Sequence, residues 1–329
     1  MSKKIFLTGA AGLIGRNLTA KLVANGYEIV CFDLGEQLVR QKTFFKPMQD
    51  TGRVRVIPGT ILDKVAMTTA MAGSDAVFHL AAMLGVKRTE DHLLRCLDIN
   101  INGTDNMLDS CVRNRVERVI FASSSEVYGE PSENPIKETA ETKGKTVYAV
   151  SKLAGEELIK GYSQVYPWLK NTIVRFFNTY GEGQVAQFVM TKWIRLVLAG
   201  KNPVVYGSGD QLRSYGHVDD VTDGLVAVLE SEKTHGGTYN IGNSSQIYSL
   251  RDLAQKIIDV LAPDSGLEVE ILDGFAGSDR IENREIFTRY CDTSRVERVL
   301  GYSPKISVEE GIRRIAAQDE IHADWPFDP

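Results

Sequence analysis

The chain has 329 residues, 43% hydrophobic and 25% charged, with 38 Lys and Arg against 43 Asp and Glu for a net charge of −5. This is ordinary globular usage, enough for one large domain or two moderate ones, and its mild acidity argues against nucleic-acid or anionic-membrane binding, which want a basic face. No apolar run approaches the ~20 residues of a membrane span, the start breaks at Thr8-Gly9 too early for a signal-peptide core, and the scattered Cys31, Cys96, Cys111 and Cys291 read as free thiols of a cytoplasmic protein, not as a disulfide frame or metal site.

In chain order, Lys4-Ile5-Phe6-Leu7 predicts a strand, followed by a Gly-rich turn and a helix carrying Leu13, Ile14, Leu18, Leu22 and Val23. Further strands are predicted at 27–32, 54–57, 76–80, 119–122 and 172–176, with helices near 63–72, 90–113 and 147–164. Alternation of nearly continuous apolar strands with helices implies an α/β fold, a doubly wound parallel sheet with right-handed crossovers. After about residue 180 the pattern changes to helices near 186–199, 218–231 and 249–262, with short strands at 204–206 and 268–271. We expect residues 1–180 to form a dinucleotide-binding domain that also carries the catalytic groups. Residues 181–329 are expected to form a smaller α+β substrate-binding region, some of whose segments return to the sheet.

Thr8-Gly9-Ala10-Ala11-Gly12-Leu13-Ile14-Gly15 follows the first strand and opens the first helix. Glycines there allow a tight turn and close approach of a pyrophosphate to the helix N-terminus. The spacing is G-x-x-G-x-x-G, a weak signal alone. It is strengthened by Asp33 at the end of the second strand, placed for the adenosine ribose hydroxyls and hostile to a 2′-phosphate, which favours NAD over NADP. Arg40 and Lys42 read as a solvated loop face.

The fifth strand runs into Ser123-Ser124-Ser125-Glu126-Val127-Tyr128, and Tyr148-Ala149-Val150-Ser151-Lys152 opens the next long helix. Tyr-x-x-x-Lys puts phenol and ammonium on one helical face, where the ammonium should lower the phenol pKa. With a serine hydroxyl at the strand end, this makes a proton relay for oxidising an alcohol.

Here the sequence resembles the extended short-chain dehydrogenase/reductases that modify nucleotide sugars, over nearly its whole length. The resemblance implies NAD as cofactor and a nucleotide-diphosphate sugar as substrate, with Ser124, Glu126, Tyr148 and Lys152 as the catalytic set and Ser125 beside the substrate. It places Gly9, Gly12, Leu13, Ile14, Gly15, Asp33, Ile61, Leu80, Ala81 and Ala82 along the cofactor, together with Tyr148 and Lys152. By the same match Asn178 reaches the substrate diphosphate, Tyr206 packs near the base, and Arg213, with Arg289 less securely, grips the diphosphate. It also implies a homodimer in which the helices near 90–113 and 147–164 pair into a four-helix bundle.

Two departures stand out. Thr60 replaces the acid common after the third strand, and Glu182 follows Tyr180-Gly181 where proline is common. His79 and His217 read as packing residues, and Phe188 and Trp193 as core or base-packing residues.

Members of the family share oxidation at C4 to a 4-keto sugar and differ afterwards. Ser125 stands where dTDP-glucose dehydratases carry Asp, and the string from Tyr148 to Glu156 is most similar to a bacterial epimerase group, so an NAD-dependent 4-epimerase is the leading expectation. The alternatives are a 4,6-dehydratase or a UDP-glucuronate decarboxylase, for which Glu126 keeps a matching carboxylate, and, outside enzymes, an NAD-sensing regulator. Tyr148 and Lys152 argue against the last.

Overall fold

The computed structural model describes residues 3–275, 278 and 284–318. The first half runs β1 (Lys4–Thr8), α1 (Leu13–Ala24), β2 (Glu28–Asp33), α2 (Gly35–Arg40), α3 (Lys42–Asp50), β3 (Val54–Pro58), α4 (Lys64–Met71) and β4 (Ala76–His79). It continues through α5 (Val86–Asp91), α6 (Leu93–Leu97), α7 (Gly103–Asn114), β5 (Arg118–Ser124), α8 (Val147–Val165) and β6 (Lys170–Phe176). The second half comprises β7 (Thr179–Tyr180), α9 (Val189–Leu198), β8 (Val204–Tyr206), β9 (Leu212–Ser214), β10 (Gly216–His217), α10 (Val218–Glu230) and β11 (Thr238–Ile241). There follow β12 (Ile247–Ser249), α11 (Leu250–Leu261), β13 (Glu270–Leu272), β14 (Thr288–Arg289), α12 (Ser294–Leu300) and α13 (Val308–Ala316).

Seven parallel strands form the main sheet in the order β11-β6-β5-β4-β1-β2-β3, with Phe6 opposite Val30 on one side and Val77 on the other. The strand order reverses between β1 and β4, and ligands of such sheets bind outside the carboxyl ends at that point. Side chains alternate across the sheet. Ile5 and Leu7 join Leu18 and Leu22 of α1 and Val221 and Leu225 of α10 on one face. Phe6 joins Met67 of α4, Leu108 of α7 and Ile159 of α8 on the other. Both faces are therefore buried, which is why the strands read as continuous apolar runs.

From the second half, β11 and α10 return to this sheet, while α9, α11 and α13 enclose a separate apolar cluster around Trp193, Ile194, Leu253, Ile257 and Ile312. The four cysteines are free and buried. Among the described residues no helix is long and apolar enough to cross a membrane.

Two expectations about elements change. Residues 90–113 are not one helix: α5 and α6 are followed by a π-turn over Asp98–Asn102 before α7 begins. Arg40 and Lys42 are exposed as expected, but they lie in α2 and α3 and not in a loop. Leu38 and Phe45 anchor those two helices in the core, an apolar contribution that outweighs their short length.

Candidate functional site

A cavity of about 1050 Å³ opens at the carboxyl ends of β1, β4, β5 and β6 and reaches the second half of the chain. Gly9, Gly12, Leu13, Ile14 and Gly15 form one wall with Leu80 and Ala82. Gly9 has φ +71°, and a Cβ there would lie 2.6 Å from the Ala81 nitrogen; at Gly15 it would lie 2.1 Å from the Gly9 carbonyl. The backbone thus folds on itself in a cradle that a side chain would fill, at the N-terminus of α1, whose cap is Gly12. Asp33 buttresses this loop, accepting from Ala11 N–H at 2.8 Å and Leu34 N–H at 2.7 Å, and burial pushes its carboxyl up. The donor set fits a dinucleotide: backbone N–H groups for a pyrophosphate and a carboxylate at the end of β2 for ribose.

Asp33, Ile61 and Ala81 do not line the cavity itself. Ile61 is buried against Gly103, where a Cβ would meet its Cδ1 at 2.4 Å, and Ala81 N–H donates to Thr8 Oγ1 at 3.3 Å. Thr60 Oγ1 accepts from Leu62 N–H at 3.3 Å, so the position where an acid is common holds only a local turn contact.

At the far end of the cradle, Ser124, Ser125, Glu126, Tyr148 and Lys152 all line the cavity. They come from the end of β5, the short helical turn Ser125–Tyr128 and the first turns of α8. The Ser124 hydroxyl lies near enough to the Tyr148 phenol to favour its ionised form. Lys152 Nζ lies 5.8 Å from the centre of the Tyr148 ring and donates to the Ala122 carbonyl at 2.8 Å. Burial pushes Lys152 down to about 8, against the pull of Cys96 and Glu156.

The expected lowering of the phenol is not seen. Burial first, then Glu126, push Tyr148 up, against the pull of the Ser124 hydroxyl. The physical reason is that burial removes the water a phenolate needs, and the Glu126 carboxylate beside the phenol adds to that penalty.

Glu126 has two further neighbours. Its Oε2 accepts from Thr146 Oγ1 at 3.2 Å, and its Oε1 lies 3.9 Å from Arg289 Nη1. Arg289, in β14, is 7% exposed and lines the cavity. It therefore sits at the catalytic end, and its charge reaches Tyr148.

Asn178 and Tyr206 also line the cavity, Asn178 from the link between β6 and β7 and Tyr206 from β8. Arg213 does not. Its guanidinium is buried, 3.0 Å from Glu285 Oε1, and donates to the carbonyls of Leu212, Ile286 and Phe287. It holds β9 to the segment that carries Arg289.

The histidines behave as packing residues. His79 contacts Thr8 Oγ1 at 2.8 Å and Thr104 Oγ1 at 3.2 Å, and burial, helped by Lys152, pushes it down to about 3. His217 Nδ1 accepts from Asp219 N–H at 3.2 Å, capping α10, and its Nε2 lies 3.0 Å from Glu182 Oε2. The glutamate that replaces the common proline is thereby matched to a buried histidine. Trp193 is 2% exposed and donates to the Val204 carbonyl at 3.0 Å, a core residue that also reaches the cavity, which Phe188 lines as well.

Three groups were not singled out from the sequence. Asn100, in the π-turn, bonds both N and O of Met83 (2.7 and 3.1 Å) and donates to Ser151 Oγ at 2.8 Å, tying α8 to the wall after β4. Glu156 accepts from Arg175 Nε at 2.9 Å, Arg175 Nη2 at 2.7 Å and Ser123 at 2.5 Å, which fixes α8 on β5 and β6. Neither has a local signal, because the partners lie far apart in sequence. Thr146 does have one: a threonine just before a helix is an N-cap candidate, and its hydroxyl accepts from Ala149 N–H at 3.1 Å.

Residues 5–242 match the profile of the family described as the NAD dependent epimerase/dehydratase family. A relative from Bacillus cytotoxicus, UDP-N-acetyl-alpha-D-glucosaminuronate decarboxylase, is 33% identical over 95% of this chain and 96% of its own length. Among solved structures, UDP-glucuronic acid 4-epimerase from Bacillus cereus, in complex with UDP-glucuronic acid and NAD, superposes with TM-score 0.84 and 27% identity, covering 95% of this chain and 98% of that one. A dTDP-glucose 4,6-dehydratase from Streptomyces venezuelae with NAD bound superposes with TM-score 0.85 and 26% identity, covering 95% of each chain.

Proposed function

Since the chain belongs to the NAD dependent epimerase/dehydratase family and is an NAD-dependent enzyme, we propose that it oxidises C4 of a nucleotide-diphosphate uronic sugar and then removes the sugar carboxylate as CO2. The observation that carries this reading is Arg289, a buried cation in the cavity within 3.9 Å of Glu126 and close enough to act on Tyr148. A guanidinium at the sugar end, away from the glycine cradle, suits an anionic substituent on the ring. The relative acting on a glucosaminuronate and the neighbour holding UDP-glucuronic acid support the same substrate class.

In this reading Tyr148 acts as the phenolate and takes the C4 hydroxyl proton, Ser124 hydrogen-bonds the same oxygen, and the charges of Lys152 and Arg289 work against the burial and the Glu126 charge that push the phenol up. Gly9, Gly12, Leu13, Ile14 and Gly15 would cradle NAD, which when bound would supply the hydride acceptor and donor for C4. The ketone at C4 is β to the C6 carboxylate, so the C5–C6 electron pair can move into an enolate whose oxygen faces Tyr148 and Ser124, and CO2 leaves. Arg289 orients the carboxylate beforehand, and Glu126 is placed to handle the proton that C5 must gain. Asn178, at the end of the region 1–180, and Tyr206, in the region 181–329, are assigned to the nucleotide end.

The leading expectation from the sequence, 4-epimerisation, remains the second reading. It is supported by the likeness of the Tyr148–Glu156 string and by the epimerase neighbour. Both reactions share the first step. A panel of nucleotide sugars with product masses separates them: loss of CO2 from a uronate supports decarboxylation, unchanged mass with a new isomer supports epimerisation, and loss of water points to a dehydratase. The exposed Leu93, Leu94 and Val150, on α6 and α8, support a homodimer through these helices.

A further inference from the structure

Thr146 stands two residues before Tyr148 and uses one oxygen twice. Its Oγ1 accepts from Ala149 N–H at 3.1 Å, capping α8, and donates to Glu126 Oε2 at 3.2 Å. The side chain is 9% exposed and lines the cavity. Because the hydroxyl has a single proton and its lone pair is already directed at the helix N-terminus, that proton is aimed at Glu126. Glu126 then has one oxygen fixed by Thr146 and the other turned to Arg289 at 3.9 Å.

We propose that Thr146 is a positioning residue, locking the Glu126 carboxylate in register with Arg289 and with the first turn of α8, and so setting the second half of the reaction. The inference rests on the role given above to Glu126. Thr146 reaches the oxidation relay only indirectly, through the α8 cap and through the charge of Glu126, so a substitution that keeps the cap falls mainly on the second half of the reaction. Glu126 approaches the site on a short turn whose own backbone N–H is held by Ser124 Oγ at 3.2 Å, which leaves the carboxylate free to rotate about its side-chain bonds unless the hydroxyl holds it. An ordinary cap would stabilise the helix alone; a cap that also grips a cavity carboxylate links helix position to carboxylate position.

The test uses the full chain with NAD and UDP-glucuronic acid or UDP-N-acetylglucosaminuronic acid, whichever is turned over, with stopped-flow absorbance of NADH for the first half and product mass for the second. Thr146→Val removes the hydroxyl at nearly constant shape, and Thr146→Gly also removes it while keeping a residue type that caps helices well. Both should leave the rate of NADH appearance within about twofold. They should slow product formation roughly tenfold, a part of the 10²–10⁴ attributed to a placed acid–base group, so that NADH and the 4-keto sugar accumulate. Thr146→Ser should restore the parental partition. If Thr146→Gly folds and slows both halves equally, or slows neither, the positioning role is overturned. Glu126→Gln, run in parallel, separates the two levels: if it leaves product formation intact the role of Glu126 falls, whereas slow Glu126→Gln with normal Thr146→Gly removes only the present inference.

Discussion

Glu156 lies one turn beyond Lys152 on α8, 1% exposed, and meets Arg175, 6% exposed, through two hydrogen bonds of 2.9 and 2.7 Å. Arg175 also donates to Tyr128 OH at 3.0 Å, and Tyr128 donates to Asn240 at 2.7 Å, so one buried network joins α8, β5, β6 and β11. Glu156→Gln keeps the shape but leaves the guanidinium without its counter-charge. Removing one partner of a buried pair typically costs about 3–5 kcal/mol. With an unfolding entropy near 2.1 cal/mol/K per residue, the whole chain carries about 0.7 kcal/mol/K, so the melting temperature should fall by about 4–7 °C. Calorimetry on the parent, Glu156→Gln, Arg175→Met and the double variant measures this, and the double variant should lose clearly less than the sum of the singles. A shift under about 1 °C for Glu156→Gln, or strict additivity in the double variant, would refute the claim that this pair holds the catalytic helix in place.

Three other outcomes are expected. Gly15→Ala, with a Cβ only 2.1 Å from the Gly9 carbonyl, should weaken NAD binding at least tenfold in a fluorescence titration; parental affinity would contradict the cradle. Arg289→Gln should raise the Kd for UDP-glucuronic acid about tenfold or more while leaving UDP-glucose binding within twofold, since only the uronate offers a charge-assisted bond; equal losses for both would place Arg289 on the diphosphate instead. His79 is held down at about 3 by burial and Lys152, against 6.5 when unfolded. As pH falls below 6.5 the unfolded chain binds a proton that the folded chain refuses, so stability is lost progressively down to about 3. His79→Gln should be less stable at pH 7.5 yet show a shallower loss between pH 6.5 and 4 in denaturant titrations, and a parallel curve would show that this histidine does not couple to pH.

What could be read without the structure is local. Strand residues such as Ile5, Phe6 and Leu7 are buried on both faces and therefore apolar in an unbroken run, and the turn at Gly9 to Gly15 tolerates no side chain, so both leave marks within a few residues. Tyr148 and Lys152 face the same way because a helix repeats about every four residues. The break at Asp98–Asn102 escaped that logic: Leu93, Leu97, Leu108 and Val112 continue a helical pattern, while Asn100 is recruited by Met83 and Ser151, which no local pattern announces. Arg213 and Arg289 show the same limit from another side. Each reads as a cation suited to a diphosphate, and only the fold assigns one to a buried pair with Glu285 and the other to the neighbourhood of Glu126. Partners of charged groups are chosen by tertiary packing, so the chemistry of a site is legible before its electrostatics are.

The central claim is that oxidation at C4 is followed by loss of the sugar carboxylate. It is tested most directly by running the reaction on UDP-glucuronic acid and UDP-N-acetylglucosaminuronic acid in D2O and reading the product by mass and NMR. Decarboxylation requires C5 to take a hydrogen from solvent, so the account predicts a product that has lost CO2 and carries one deuterium, at C5. A product of unchanged mass, inverted at C4 and free of deuterium, would contradict it.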